Sequence, residues 1–219
     1  MLVSKILRDT QRNLDVSIDA AMSLLKSSDQ WRRAIKGKYR PILNGHRHDI
    51  AAMAFFRMYL AWEDFLEEAF LILLVKAKRG TRGARSLLDV DSRREAFTIV
   101  KGEKRPYVDW SVAKDIRDRA ATFFKEGKPF EVPLAAGSLH LERMRRIRNR
   151  IAHRSKHAED QFRELIRELF GAYRRETPGS LLLHPPPTNF GLPSHVIPGP
   201  TVVQTYADIL KAIAYQIVK

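Results

Sequence analysis

The chain has no cysteine, fewer acidic than basic residues and no long apolar run. The lack of cysteine excludes disulfide bonds, thiolate zinc sites and a cysteine nucleophile, and it fits a reducing compartment. The longest apolar run, Ala69 to Val75, is far shorter than the roughly 20 residues of a membrane-spanning helix. The first residues also lack the apolar core of a signal peptide. We therefore expect a cytoplasmic protein without a membrane partner.

The shortage of acidic residues leaves a strongly basic protein. Its 39 Lys and Arg residues against 25 Asp and Glu give a formal net charge of +14. Such a charge attracts polyanions such as nucleic acid or an anionic membrane, although charge alone indicates a class of partner and not a reaction. With 44% hydrophobic residues among 219, the composition is that of a soluble globular protein.

Apolar residues recur at three- and four-residue steps almost everywhere, and no segment shows the alternation of a half-buried strand. The pattern predicts an all-α fold. Ser92 and Glu95 have the spacing of a capping box, and Ser138 is placed to cap the helix that follows a loop over 129–137. The predicted helices cover residues 9–26, 48–78, 92 onwards, 111–125, 138 onwards, 156–174 and 201–219.

Proline divides the C-terminal part of the chain from the rest. Residues 178–200 contain seven of the eleven prolines and three glycines, which predicts an extended connector. We thus expect a helical bundle over 1–177, this connector, and a C-terminal helix over 201–219. That helix either docks on the bundle or pairs with another chain, and the sequence does not choose between the two.

One basic segment carries the chemistry. Six arginines and no acidic residue occupy the twelve residues from Arg143 to Arg154. Arginine presents a charged planar fork that holds a phosphodiester in two hydrogen bonds. A solvated helix face is the simpler interpretation, and it suffices for Arg143 and Arg146. It explains Arg148 and His153 less well, because an imidazole beside a fixed cation is what acid–base cleavage of RNA requires.

The segment Arg148-Asn149-Arg150-Ile151-Ala152-His153 resembles the signature of HEPN ribonucleases, an arginine followed by a polar residue and then a histidine. The resemblance extends more weakly to the residues around Trp62 and Glu63 and to those around Trp110. It implies a HEPN-like up-and-down helical bundle. It also implies a homodimer in which two copies of the motif face each other across a composite active site.

The resemblance further implies metal-independent cleavage without a cofactor. The RNA 2′-hydroxyl attacks phosphorus and leaves a 2′,3′-cyclic phosphate. His153 is then the general acid/base, Arg148 stabilises the charge of the phosphorane, and Asn149 orients a phosphate or the histidine. The flanking arginines, which would hold RNA phosphates, are Arg145, Arg150 and Arg154. Asn149 has an equally good structural interpretation, as a polar residue closing a helical turn.

Helix geometry adds an expectation about this segment. Residues five apart on a straight helix point about 140° away from each other, given roughly 3.6 residues per turn. Arg148 and His153 therefore converge only if the helix breaks near His153 or a second chain completes the site. Ser155 is placed to cap the next helix, which favours a break.

By the resemblance, Glu63 is a candidate for the acidic residue that some HEPN ribonucleases carry on an earlier helix, where it would pair with Arg148 or orient His153. The alternative is a surface carboxylate within the acidic cluster 63–68.

Two metal-binding interpretations are weaker. His46 and His48 lack a further convincing ligand, and the His153/His157 pair lacks the intervening glutamate and is surrounded by arginines. We expect no metal site.

Three functions remain open at the level of sequence. The first is a HEPN endoribonuclease, which by resemblance would be a toxin or an antiviral defence effector. The second is a non-catalytic HEPN-like module that binds RNA or a protein. The third is a subunit bound to an antitoxin, another regulatory protein or a nucleotidyltransferase.

Overall fold

The computed structural model describes residues 2–35, 37–76, 84–102, 107–192 and 197–219. These residues are predominantly helical, which confirms the helical character of the fold. The α-helices are α1 (Leu2–Ser28), α2 (Asn44–Lys76), α3 (Arg93–Lys101), α4 (Ala113–Phe123), α5 (Glu131–Ala136), α6 (Ser138–Ala152), α7 (Lys156–Phe170), α8 (Pro178–Leu183) and α9 (Val202–Val218). No helix among the described residues is long and apolar enough to cross a membrane.

A β-hairpin, which the sequence pattern did not predict, separates the first two helices. Strand β1 (Arg32–Ile35) pairs antiparallel with β2 (Lys38–Pro41). Gly37 in the turn has φ 73°, the left-handed region that glycine adopts readily. The strands are only four residues long and all of β2 is exposed, so no alternation of buried and exposed residues reveals them.

The chain divides into two compact units. The first comprises Met1–Asp15, Ala61–Glu142 and Ile209–Lys219, and the second comprises Val16–Leu60 and Arg143–Asp208. In the first, Phe70 contacts an aromatic cluster, with ring centroids 4.9 Å from Phe124 and 5.0 Å from Phe130. In the second, the Tyr206 ring lies 5.2 Å from Phe190 and 6.2 Å from Phe55. The domain boundaries expected from sequence stay a prediction.

Local signals place several helix ends correctly. Ser92 caps α3 by accepting a hydrogen bond from the Glu95 backbone N–H, as predicted. The apolar stripe of α7 is buried, including Phe162, Leu165 and Leu169. This helix ends at Phe170, four residues earlier than expected, because Gly171 takes a left-handed conformation (φ 70°) and its N–H bonds the Arg167 carbonyl.

Two segments expected to be irregular are partly helical. Residues 131–136 form α5 within the predicted loop. Residues 178–183 form α8, so the prediction of an extended connector is wrong for that stretch. Residues 193–196 of the connector lie outside the described residues, as do residues 77–78 of the predicted second helix. Thr177 and Ser180 make a capping box, and Pro178 occupies the first helical position, where its missing N–H costs no hydrogen bond.

The final helix, α9, is covered within a single chain. Its apolar residues are buried, among them Val203, Leu210 and Ala214. The aromatic contact of Tyr206 with Phe55 and the packing of Ile213 near Gly137 come from the same chain. A second chain is thus not needed to bury this helix.

Candidate active site

The helix that carries the arginine-rich segment ends just before the candidate histidine. Helix α6 runs through Ala152, and α7 begins at Lys156. The His153 backbone N–H still donates to the Asn149 carbonyl at 2.9 Å, but the chain then leaves the helical path through residues 153–155. The predicted break near His153 is confirmed. His153 is exposed.

Ser155 fixes the start of the next helix. Its backbone is extended (φ −68°, ψ 150°), and its hydroxyl accepts a hydrogen bond from the Ala158 N–H at 3.2 Å. This is the N-cap expected from the sequence, and it satisfies one of the free amide groups at a helix start. The cap therefore limits the link between the two helices to three residues, of which His153 is the first.

Arg148 and Asn149 are in direct contact. Nη1 of Arg148 donates a hydrogen bond to Oδ1 of Asn149 at 3.2 Å. Both side chains are partly buried, so a bond between them is less exposed to competition from water than one on an open surface. The sequence did not indicate this contact between the amide of Asn149 and the guanidinium of Arg148.

Two other arginines of α6 have a structural partner. Arg143 is buried, and its Nε and Nη2 donate to Oε1 of Glu168 at 2.9 and 2.6 Å. Nη1 of Arg146 donates to Oε2 of the same carboxylate at 3.3 Å. The solvated helix face expected for Arg143 is wrong, because the residue lies inside the protein with an ion-pair partner. Glu168 was missed because it is 25 residues away and no local spacing points to it.

The arginines proposed to hold phosphate are accessible to different extents. Arg154, in the link after α6, is exposed, whereas Arg145 and Arg150 are partly buried on the helix. Glu63 is partly buried on α2, in the first compact unit. Its predicted role beside Arg148 or His153 stays a prediction.

The described residues contain no group of three or more His, Asp or Glu side chains arranged to hold a metal ion. His46, of the weak His46/His48 candidate, is exposed at the start of α2, and His157 is exposed at the start of α7. The segment from Arg148 to Ser155 thus offers a partly buried guanidinium held by an amide, followed by an exposed imidazole. Comparison of the chain with protein-family models, curated proteins and solved structures gives no match.

Proposed function

We propose that the protein is a metal-independent endoribonuclease of the HEPN type. The observation that carries the proposal is the end of α6 at Ala152, which leaves His153 exposed in a short link directly after the helix that presents Arg148. Acid–base cleavage needs a proton-transferring group that solvent and substrate can reach, together with a fixed cation. The segment supplies both within six residues.

The proposed reaction is an internal transesterification. The 2′-hydroxyl oxygen of RNA forms a bond to the adjacent phosphorus, and the bond from phosphorus to the 5′ oxygen breaks. A proton leaves the 2′-hydroxyl and another is delivered to the 5′ oxygen, with His153 as the transferring group. Arg148, oriented by Asn149, stabilises the charge that develops on the phosphorane. Arg145, Arg150 and Arg154 would hold phosphates on either side, and Glu63 would assist Arg148 or His153.

The test is cleavage of total RNA by the purified chain in EDTA, followed by analysis of the product ends. We expect 2′,3′-cyclic phosphate and 5′-hydroxyl ends, no cleavage of DNA, and loss of activity in Arg148→Ala and in His153→Ala. His157→Ala removes another exposed histidine four residues further on and serves as the matched control. Full activity in both site variants, with the helical circular dichroism intact, would refute the assignment.

We propose that two chains form each site. If each centre takes Arg148 from one subunit and His153 from the other, a mixed dimer of the two inactive variants contains one centre with both groups. Mixing Arg148→Ala with His153→Ala under conditions of subunit exchange should then restore part of the activity. A mixture that stays inactive although heterodimers are shown to form would exclude the shared site.

The alternative is a HEPN-like module that binds RNA or a protein without cutting. It predicts RNA binding that weakens with salt and yields no cyclic phosphate at any protein concentration. For an active enzyme, the family resemblance further suggests a toxin or antiviral effector that an antitoxin or another regulatory protein restrains. Purification from the native host with a bound partner that suppresses cleavage would support that role.

A further inference from the structure

The hairpin between α1 and α2 is rich in positive charge, and all of its strand β2 is exposed. Its ten residues from Trp31 to Arg40 include five Lys and Arg, and no acidic residue occurs between Asp29 and Asp49. The register places Arg33 directly opposite Arg40, and Ile35 opposite Lys38. Since paired residues share a face, three cations lie on one side of the hairpin.

This arrangement is unfavourable for the isolated protein. Like charges directly opposite each other on paired strands destabilise the pairing. Among the described residues no carboxylate forms an ion pair with Arg33, Lys38 or Arg40, and the carboxylate of nearby Asp29 is bonded to Arg47. Nε of Arg33 is shielded from solvent without a hydrogen-bond acceptor in the described part of the chain. A bound anion would relieve the repulsion.

The hairpin also carries exposed aromatic rings. Tyr39, opposite Ala34, lies on the other side of the hairpin from the three cations, is 81% exposed and stands between Lys38 and Arg40 on β2, all of which is exposed. Trp31, immediately before β1, is 45% exposed. Because all of β2 is exposed, a ligand that runs along this strand can reach the ring on one side and the cations on the other. Surfaces that bind single-stranded nucleic acid combine exposed rings, on which unpaired bases stack, with cations that contact the phosphates. A base inside a duplex has no free face for such stacking.

We propose that strands β1 and β2, together with Trp31, bind single-stranded nucleic acid that runs along the exposed strand β2, with Tyr39 and Trp31 as stacking platforms and Arg33, Lys38 and Arg40 as phosphate contacts. This extends the proposed function by naming an unpaired strand as the ligand. It does not depend on cleavage, because binding at the hairpin requires neither Arg148 nor His153. DNA lacks the 2′-hydroxyl and is not cut, so its binding tests the hairpin alone.

The experiment measures binding of the full chain to a fluorescent single-stranded DNA 12-mer, by anisotropy, and to the matching duplex. We expect Tyr39→Ala to weaken single-strand binding by about tenfold and Tyr39→Phe to keep it, because phenylalanine still stacks. Tyr107→Ala, which removes another tyrosine that is 66% exposed, is the matched control. Equal affinities of Tyr39→Ala and Tyr107→Ala would overturn the stacking role.

The charge contribution has its own test. In Arg33→Gln/Lys38→Gln/Arg40→Gln, the slope of log affinity against log salt should become shallower by about two, as expected for three lost phosphate contacts on a single strand. The control replaces Lys5, Arg8 and Arg12, three exposed cations of α1, with glutamine and should keep the wild-type slope. An identical slope in the two triple variants would refute the proposal.

The rival ligand is an anionic membrane, which also attracts a basic surface with aromatic residues. Vesicles of phosphatidylserine and phosphatidylcholine, assayed by sedimentation, provide that comparison. Loss of vesicle binding in the hairpin triple variant, with unchanged binding of the 12-mer, would overturn the proposal. If the 12-mer binds through the hairpin while RNA is never cut, the hairpin proposal stands and the ribonuclease proposal fails.

Discussion

The guanidinium of Arg143 and the carboxylate of Glu168 form a two-point ion pair between α6 and α7, with nitrogen–oxygen distances of 2.9 and 2.6 Å. The side chain of Arg143 is 6% exposed and that of Glu168 is 35% exposed. The same guanidinium donates to the backbone carbonyls of Phe190 and Asn189. Arg143 therefore holds three segments of the second unit together and is not available to RNA.

We expect Glu168→Ala to lower the free energy of unfolding by about 2 kcal/mol, because it leaves a buried arginine charge without its counterion. The loss of stability is limited because water can reach the partly exposed position of the Glu168 carboxylate and solvate the guanidinium. Glu164→Ala removes an exposed glutamate from the same helix and should change stability by less than about 0.5 kcal/mol. Urea denaturation measures both, and equal stabilities of the two variants would contradict the structural role of the pair.

Ser155→Ala should lower stability by about 1 kcal/mol, because the N-cap bond to Ala158 is lost. It should also reduce RNA cleavage, since the cap limits the link that carries His153. Ser155→Asn keeps a capping oxygen and should retain both properties.

Ser92→Ala removes the equivalent cap from α3 and provides the control. We expect a similar loss of stability with unchanged cleavage. If Ser92→Ala and Ser155→Ala reduce cleavage equally, the effect of the Ser155 cap is one of general stability and not of His153 placement.

We expect the buried hydroxyl of Tyr206 to make the stability of the fold depend on pH in the alkaline range. Burial raises the pKa of its hydroxyl, and Glu168 raises it further, while the charge of Arg143 acts in the opposite direction. Above about pH 10 the unfolded chain loses this proton and the folded chain keeps it, so the free energy of unfolding falls by about 1.4 kcal/mol per pH unit. Below that pH the contribution is fully present.

Tyr206→Phe should therefore show a shallower decline of stability between pH 10 and 11 than the wild type. Urea denaturation across this range measures the slope. Tyr215→Phe, which removes a phenol from a side chain that is 52% exposed, is the control. A Tyr206→Phe slope equal to that of the wild type would show that the buried hydroxyl does not govern the alkaline transition.

Gly179 permits the close approach of α8 to α2. A Cβ atom at this position would lie 1.9 Å from the backbone carbonyl oxygen of His48, which cannot move aside as a flexible side chain does. Gly179→Ala should therefore destabilise the protein by about 2 to 3 kcal/mol or more. Gly45→Ala, in the first turn of α2 with open space around its Cβ, should be neutral or slightly stabilising. Thermal unfolding compares the two.

Much of the helical architecture follows from local chemistry. The capping residues Ser92 and Ser155 and the amphipathic period of α7 were sufficient to place helix starts and buried faces. The hairpin and α8 were not predictable in this way. All of β2 is exposed, and α8 is stabilised by burial of Leu181 and Leu182 in spite of the surrounding prolines.

In the candidate site, too, some features could be predicted from the sequence and others could not. The break after Ala152 could be predicted from Ser155, whose position favours a cap on the next helix. The burial of Arg143 could not, because it depends on Glu168 and on two carbonyl groups far along the chain. The six arginines among residues 143–154 look alike in the sequence. Only tertiary contacts distinguish those that stabilise the fold from those that face outwards.

Arg143 donates hydrogen bonds to main-chain oxygens at positions 189 and 190, and these bonds limit how the length of the proline-rich stretch can vary. A carbonyl group is present whatever residue occupies position 189, whose side chain is exposed, so substitutions there should be neutral. Insertion or deletion of one residue between α8 and Phe190 would instead move the carbonyls away from the guanidinium. The number of residues between α8 and Phe190 is therefore constrained more tightly than their identity.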